Sequence, residues 1–324
     1  MSTTTANFRK SIPSIDVQVR SVLAATDFSS ASDKAISHAI SIARHYRAKL
    51  CLMHVVSSVA LNMAGPEAVA HATSLAFQDL TSVERQLVCG GVLRDIEHGI
   101  MVREGDIWTE LKEVIRNDGV DLLVIGTHGR TGLKKLVLGS VAEQIFRQAH
   151  CRVLTVSPCS PPNASLTTDT ISRPLLFATD LSSASLRALP DSVSLANQRG
   201  ARLVVIHILS PVPEVVDNRW YTAADVMQMQ AEALAKARQR LNDLLANTRL
   251  ETDLECIVEF GQPAERIVAT AKRINSEIIV MGLSYREHIG TISHLPWSTA
   301  YDVVCGAECP VLTVRTENGR RYHR

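Results

Sequence analysis

The chain repeats itself, and that constrains its fold more than any other feature. Leu23-Ala-Ala-Thr-Asp27-Phe-Ser-Ser-Ala-Ser32 recurs 153 residues later as Leu176-Phe-Ala-Thr-Asp180-Leu-Ser-Ser-Ala-Ser185. Leu50-Cys-Leu-Met-His54-Val returns in the same register as Leu203-Val-Val-Ile-His207-Ile. Leu122-Leu-Val-Ile-Gly126 is answered by Ile278-Ile-Val-Met-Gly282 at an offset of 156, and Cys151-Arg-Val-Leu-Thr-Val156 by Cys309-Pro-Val-Leu-Thr-Val314 at 158. The same blocks in the same order, with offsets drifting by five residues, describe a duplicated domain. At 324 residues in all, each copy is long enough to bury its own core. The boundaries fall at 17–157 and 173–316, with a Pro/Ser/Thr-rich linker at 158–172.

Within each copy, short apolar runs alternate with longer stretches of helical period. The first copy predicts strands at Val19–Thr26, Lys49–Val56, Gly99–Arg103, Asp121–Gly126 and Arg152–Val156. Helices are predicted at Ala31–Arg47, Glu67–Arg94, Trp108–Asn117 and Ser140–Gln148, and in the second copy at Ala223–Thr248. Leu122-Leu-Val-Ile is apolar on both faces, as a strand covered by helices on two sides must be. The fold class that follows is α/β: two tandem doubly wound domains, each a five-stranded parallel sheet with helices on both faces.

Charge excludes some partners. Lys and Arg total 34 against 33 Asp and Glu, a net charge of +1, so there is no global field for nucleic acid or an anionic membrane surface. No apolar run is long enough for a membrane span, and residues 1–16 carry no apolar core of a signal peptide, so the expected location is cytoplasmic. Seven scattered cysteines read as buried thiols in a reducing compartment rather than a disulfide framework.

In open parallel sheets, ligands collect where strand order reverses, at the carboxyl ends of the strands. The loop after the fourth strand reads Gly126-Thr-His-Gly129-Arg-Thr-Gly132-Leu-Lys-Lys-Leu-Val-Leu-Gly139-Ser140-Val141. Gly126 and Gly129 let backbone approach a ligand, and Gly139 and Ser140 open a helix whose free N–H groups suit a phosphate. Ser140 adds a hydroxyl donor, and Arg130 is placed to close over outer phosphates. His128 lies within the same loop, facing phosphate or solvent. Asp27, ending the first strand, is placed for a ribose hydroxyl or a phosphate-bound metal; the plain alternative is a turn former before the next helix.

Gly126-x2-Gly129-x9-Gly139-Ser140, with Ala25-Thr26-Asp27 and Met53-His54-Val55, closely resembles the universal stress protein family, whose ATP-binding members carry G-x2-G-x9-G-[S/T]. The resemblance covers nearly the whole chain twice, as in the tandem members. It implies that Asp27 contacts the nucleoside sugar or metal, that the Val55 backbone holds the adenine edge, and that Gly126, Gly129, Gly139, Ser140 and Val141 line the phosphates. Ala25 and Thr26 belong to the same strand end. It implies ATP, with Mg2+, in the first domain only. In the second copy Tyr285 stands where Gly129 stands and Trp297 where Gly139 stands, so that site is expected to be weak or empty. In this family the last strands often pair across domains. Val153–Val156 and Val311–Val314 are therefore expected to pair within the chain as a pseudo-dimer, or between chains as a homodimer.

His54 and His207 read as core histidines, and Met227 and Met229 as packed helix residues. No Gly-x4-Gly-Lys-[Ser/Thr] loop, Gly-x-Ser-x-Gly elbow or His-Glu-x-x-His helix appears. The expected function is a nucleotide-controlled switch or scaffold. The alternatives are slow ATP hydrolysis or autophosphorylation, and a nucleotide-free interaction module.

Overall fold

The computed structural model describes residues 17–57, 65–127, 138–160, 172–210, 222–246, 248–283 and 296–315, with backbone alone for residues 223 and 296–298. In the first half, strands β1 (Ser21–Ala25), β2 (Lys49–Ser57), β3 (His98–Gly105), β4 (Leu122–Gly126) and β5 (Arg152–Val156) alternate with helices α1 (Ser30–Tyr46), α2 (Pro66–Cys89), α3 (Ile107–Asn117) and α4 (Ser140–Gln148). The second half runs β6 (Leu175–Ala178), a 3-10 turn (Ser185–Ala188), α5 (Leu189–Arg199), β7 (Leu203–Leu209), α6 (Ala223–Leu245), β8 (Leu254–Phe260), α7 (Pro263–Arg273), β9 (Ile278–Leu283), α8 (Pro296–Gly306) and β10 (Val311–Arg315).

Local chemistry sets these ends. Ser29 caps α1 by accepting from the Ser32 N–H, and Arg47 closes the helix in the left-handed region at φ 53°. Asp106 caps α3 from Thr109, and Thr222 with Asp225 forms a capping box on α6. Helix α2 stops at Cys89 rather than Arg94, because Gly90-Gly91 follows and Gly91 adopts φ 69°. Helix α6 stops at Leu245, and the Thr248 hydroxyl turns back to the Leu245 carbonyl at 2.7 Å. The second half opens with a 3-10 turn where the first has an α-helix from the start. Pro190 supplies no amide there, so α5 begins only at Leu189.

Each half forms a five-stranded parallel sheet, and the two halves join into one sheet ordered β3-β2-β1-β4-β5-β10-β9-β6-β7-β8. The join is antiparallel, with Val311 opposite Thr155, Leu312 opposite Leu154 and Thr313 opposite Val153. Two hydroxyls bridge it reciprocally: Thr155 donates to the Val311 carbonyl at 3.2 Å and Thr313 to the Val153 carbonyl at 3.3 Å. The last strands thus pair within the chain. Pairing between chains through these strands is not what the structure holds, since β5 and β10 each have a neighbour on both sides.

Side chains alternate across the sheet into two cores, each running through both halves. Val22 and Ala24 join α1, α2, α5 and α6 on one face. Leu23 joins α3, α4, α7 and α8 on the other, where Trp108 is also buried. Met227 and Met229 do not pack as expected. They are 71% and 49% exposed, because the core contacts of α6 come from Ala237, Leu241 and Leu245 toward its other end. Not every thiol is buried either: Cys151 and Cys309 are, and burial pushes both up to about 12, but Cys89 and Cys159 are exposed. Among the described residues, no helix is long and apolar enough to cross a membrane.

Candidate functional site

Strand order reverses between β1 and β4 in the first half, and between β6 and β9 in the second. The crevice beyond the carboxyl ends of these strands is where such sheets take ligands. In the first half it gathers the end of β1, the overhang of β2, the end of β4 and the start of α4.

The end of β1 is a compact turn built around Thr26. Its N–H donates to the Met53 carbonyl at 2.9 Å and completes the pairing of β1 with β2. Its hydroxyl accepts from the Phe28 N–H and donates to the Ser32 hydroxyl, both at 3.0 Å. Asp27 accepts the Ser29 N–H at 3.1 Å, an Asx-turn that delivers the chain to the cap of α1. Phe28 takes φ 62°, and its ring lies 4.6 Å from that of His54. His54 in turn bonds through Nδ1 to the Thr26 carbonyl at 2.7 Å, a satisfied histidine as expected. The Thr26 hydroxyl is therefore taken up by the turn, and Ala25 packs against the α3–α4 core, so neither side chain faces the crevice.

Strand β2 continues past the end of β1. Lys49 and Met53 bond toward β1, through Arg20 and Thr26, while Leu50 bonds toward β3 through Glu97. By that alternation the N–H and C=O of Val55 lie on the β1 flank, one step beyond the last β1 partner. Val55 thus offers a donor and an acceptor side by side, the pattern a nucleobase edge can read.

Gly126 and Gly139 differ in what they are for. A Cβ on Gly126 would stand 3.1–3.2 Å from the backbone of Ala31 and Ser32, so this glycine lets α1 pack against β4. Among the described residues, a Cβ on Gly139 would meet only the Thr127 carbonyl, at an ordinary 3.6 Å. Gly139 caps α4 with φ −58° and ψ 146°, a conformation open to any residue, and no side chain caps the helix. Its N–H bonds back to Thr127 at 3.0 Å, tying the start of α4 to the end of β4. Ser140 is exposed at the first helical position, and Val141 is half-buried beside it. Among the described residues no side chain caps α4, so its first-turn amides and the positive end of the helix dipole meet the crevice. Glu143, the one acid in this turn, is held by Arg147 at 2.8 Å. His128, Gly129 and Arg130 lie outside the described residues.

The second half repeats the turn almost atom for atom. Thr179 bonds to Ile206, Leu181 and Ser185, Asp180 accepts from Ser182, and His207 meets the Thr179 carbonyl at 2.8 Å. Burial raises the Asp180 carboxyl, but hydrogen bonds from Ser182 and Ser185 outweigh it and hold the group below the usual range. Gly282 is tighter than Gly126, with a Cβ falling 2.5–2.6 Å from Ala184 and Ser185. The halves part company at the phosphate helix. Helix α8 already includes Pro296 and Trp297, so the counterpart of Gly139 lies inside the helix rather than at its cap. Tyr285 and the Trp297 side chain lie outside the described residues.

Both halves, over residues 18–157 and 172–315, match the family described as the universal stress protein family. The chain belongs to the universal stress protein family. A universal stress protein of Methanocaldococcus jannaschii is 34% identical over 142 residues, 42% of this chain and 81% of that one. The solved structure of a universal stress protein from Archaeoglobus fulgidus aligns over 94% of this chain and 98% of its own, with a TM-score of 0.65 at 20% identity. A universal stress protein solved in complex with cAMP also matches, over 46% of this chain and 100% of its own at 18% identity and a TM-score of 0.30, too low to bear on this one.

Sequence reasoning missed the part of Thr26, Phe28 and Ser32 in building the turn. The signal was present, because Thr, Asp and three Ser recur at identical spacing in both halves of this universal stress protein.

Proposed function

We propose that this universal stress protein is a cytoplasmic MgATP-binding switch or scaffold whose first half holds the nucleotide. The observation that carries the reading is the start of α4: a helix N-terminus at the β1/β4 reversal with no side-chain cap among the described residues, where a Cβ on Gly139 would make only ordinary contact with them. Val55 supplies a backbone edge for adenine, Asp27 a carboxylate at the mouth, and Ser140 a hydroxyl beside the phosphates. Bound Mg2+ would neutralise phosphate charge. A partner would then read whether nucleotide occupies the site; a coupling of about 1–3 kcal/mol is sufficient. In the second half Trp297 replaces the open glycine, so that half serves as scaffold.

Titration calorimetry with MgATP, with cAMP as comparison ligand, tests the reading. One site per chain is expected, with Asp27→Ala and Gly129→Tyr each weakening binding at least about tenfold, or ~1.4 kcal/mol. Unaltered binding in both variants would overturn it. A nucleotide-independent scaffold would show no heat with either ligand.

A further inference from the structure

Helix α4 is short and caps itself poorly. It spans nine residues, has no side-chain N-cap, and ends at Ala149 in an extended conformation (φ −66°, ψ 135°) rather than on a left-handed glycine. A helix of this length is marginal by itself, and its last carbonyls need outside donors. The second half provides them. Arg315, the last residue of β10 and only 9% exposed, sends its guanidinium to the C-terminus of α4. Nη2 donates to the Phe146 carbonyl at 2.9 Å, and Nη1 to the Arg147 and Ala149 carbonyls at 2.5 and 3.3 Å. A cation there also complements the negative end of the helix dipole.

The other end of α4 is held from the second half as well. Leu138, buried just before the Gly139 cap, lies in the same apolar cluster as Tyr301 and Cys305 of α8. The arrangement is one-sided. The repeat places Ser157 where Arg315 stands, and the Ser157 hydroxyl accepts from the Cys159 N–H at 3.2 Å within its own turn. At the positions of Tyr301 and Cys305, α4 carries Glu143 and Arg147, which pair with each other at 2.8 Å.

We infer that Arg315 is a positioning residue: from the second half it clamps α4 by its C-terminus, and so fixes the phosphate-facing N-terminus on the first half's site. The role at the site rests on the nucleotide reading above; the clamp on the helix does not. It gives the degenerate second half a definite task, since the first half's site is complete only in the tandem chain.

Hydrogen–deuterium exchange and MgATP titration on the full-length chain separate the two claims. In the ligand-free protein, Arg315→Ser is expected to speed exchange across Ser140–Ala149 by about tenfold while β9 stays protected. Arg315→Lys, which keeps the charge with fewer donors, is expected to restore most of that protection, and it serves where the serine variant fails to fold. MgATP affinity should fall about tenfold in Arg315→Ser and recover in Arg315→Lys. Unchanged exchange in α4 would overturn the clamp, and faster exchange with unchanged affinity would overturn the positioning role. A wild-type chain that binds no nucleotide would overturn the functional reading and with it the role at the site, leaving exchange alone to decide the clamp.

Discussion

Gly126 and Gly139 belong to one motif but answer to different forces, and their variants should separate stability from binding. Gly126→Ala drives a Cβ into the backbone of α1 at 3.1–3.2 Å, which neither helix nor strand can relieve cheaply, and a loss of about 1–3 kcal/mol in urea unfolding is expected. Gly139→Ala meets only an ordinary contact among the described residues and should change stability by about 0.5 kcal/mol or less, while weakening MgATP binding. Equal destabilisation by the two would refute this division. Asp106, the cap of α3, offers a pH test. Hydrogen bonds from the Thr109 hydroxyl and N–H hold its carboxyl below the ordinary value of 3.8. Its folded pKa is the lower one, so its contribution is present above the ordinary value and lost as pH falls through the folded value. Asp106→Asn keeps a capping oxygen without a titrating proton. The gap between wild type and variant in urea midpoint should therefore shift in the variant's favour between pH 7 and pH 2. A gap independent of pH would rule the account out.

At the scale of elements, strand and helix order was legible because periodicity is a local signal and the repeat supplied each block twice. Periodicity predicts α4 with the ends it has, Ser140–Gln148, but carries α2 past Gly90-Gly91, where two glycines outweigh the apolar pattern that continues to Arg94. The 3-10 opening of the second half turned on Pro190 alone. Of the site, the strand ends and the phosphate helix could be read from glycine spacing. The packing role of Gly126 could not, since it depends on the distance between β4 and α1. Nor could the support that α4 takes from Arg315, a residue 169 positions from Phe146 whose partner carbonyls leave no mark on sequence. The join of β5 to β10 was readable only as a choice between pairing within and between chains.

Across the whole molecule, duplication has become asymmetric at its own pseudo-twofold axis. Arg152, from the first half, forms a half-buried ion pair with Asp191 in the second, while the repeat places Pro310 and His38 at the matching positions. Burial raises the Asp191 carboxyl, and the Arg152 guanidinium pulls it back toward the charged form. Asp191→Ala strands the guanidinium at the junction and is expected to cost about 2–4 kcal/mol, while Arg152→Met with Asp191→Leu should recover most of it. A neutral single variant in thermal or urea unfolding would show that the pair does not hold the halves together. Together with the Arg315 clamp, this asymmetry describes a chain in which one copy keeps a ligand site and the other braces it. The most direct test is to purify the wild-type chain, denature it, and count the released nucleotide by chromatography and mass spectrometry. One adenine nucleotide per chain, lost in Gly139→Tyr, is the predicted result. Two per chain, or none with no thermal shift on adding MgATP, would contradict it.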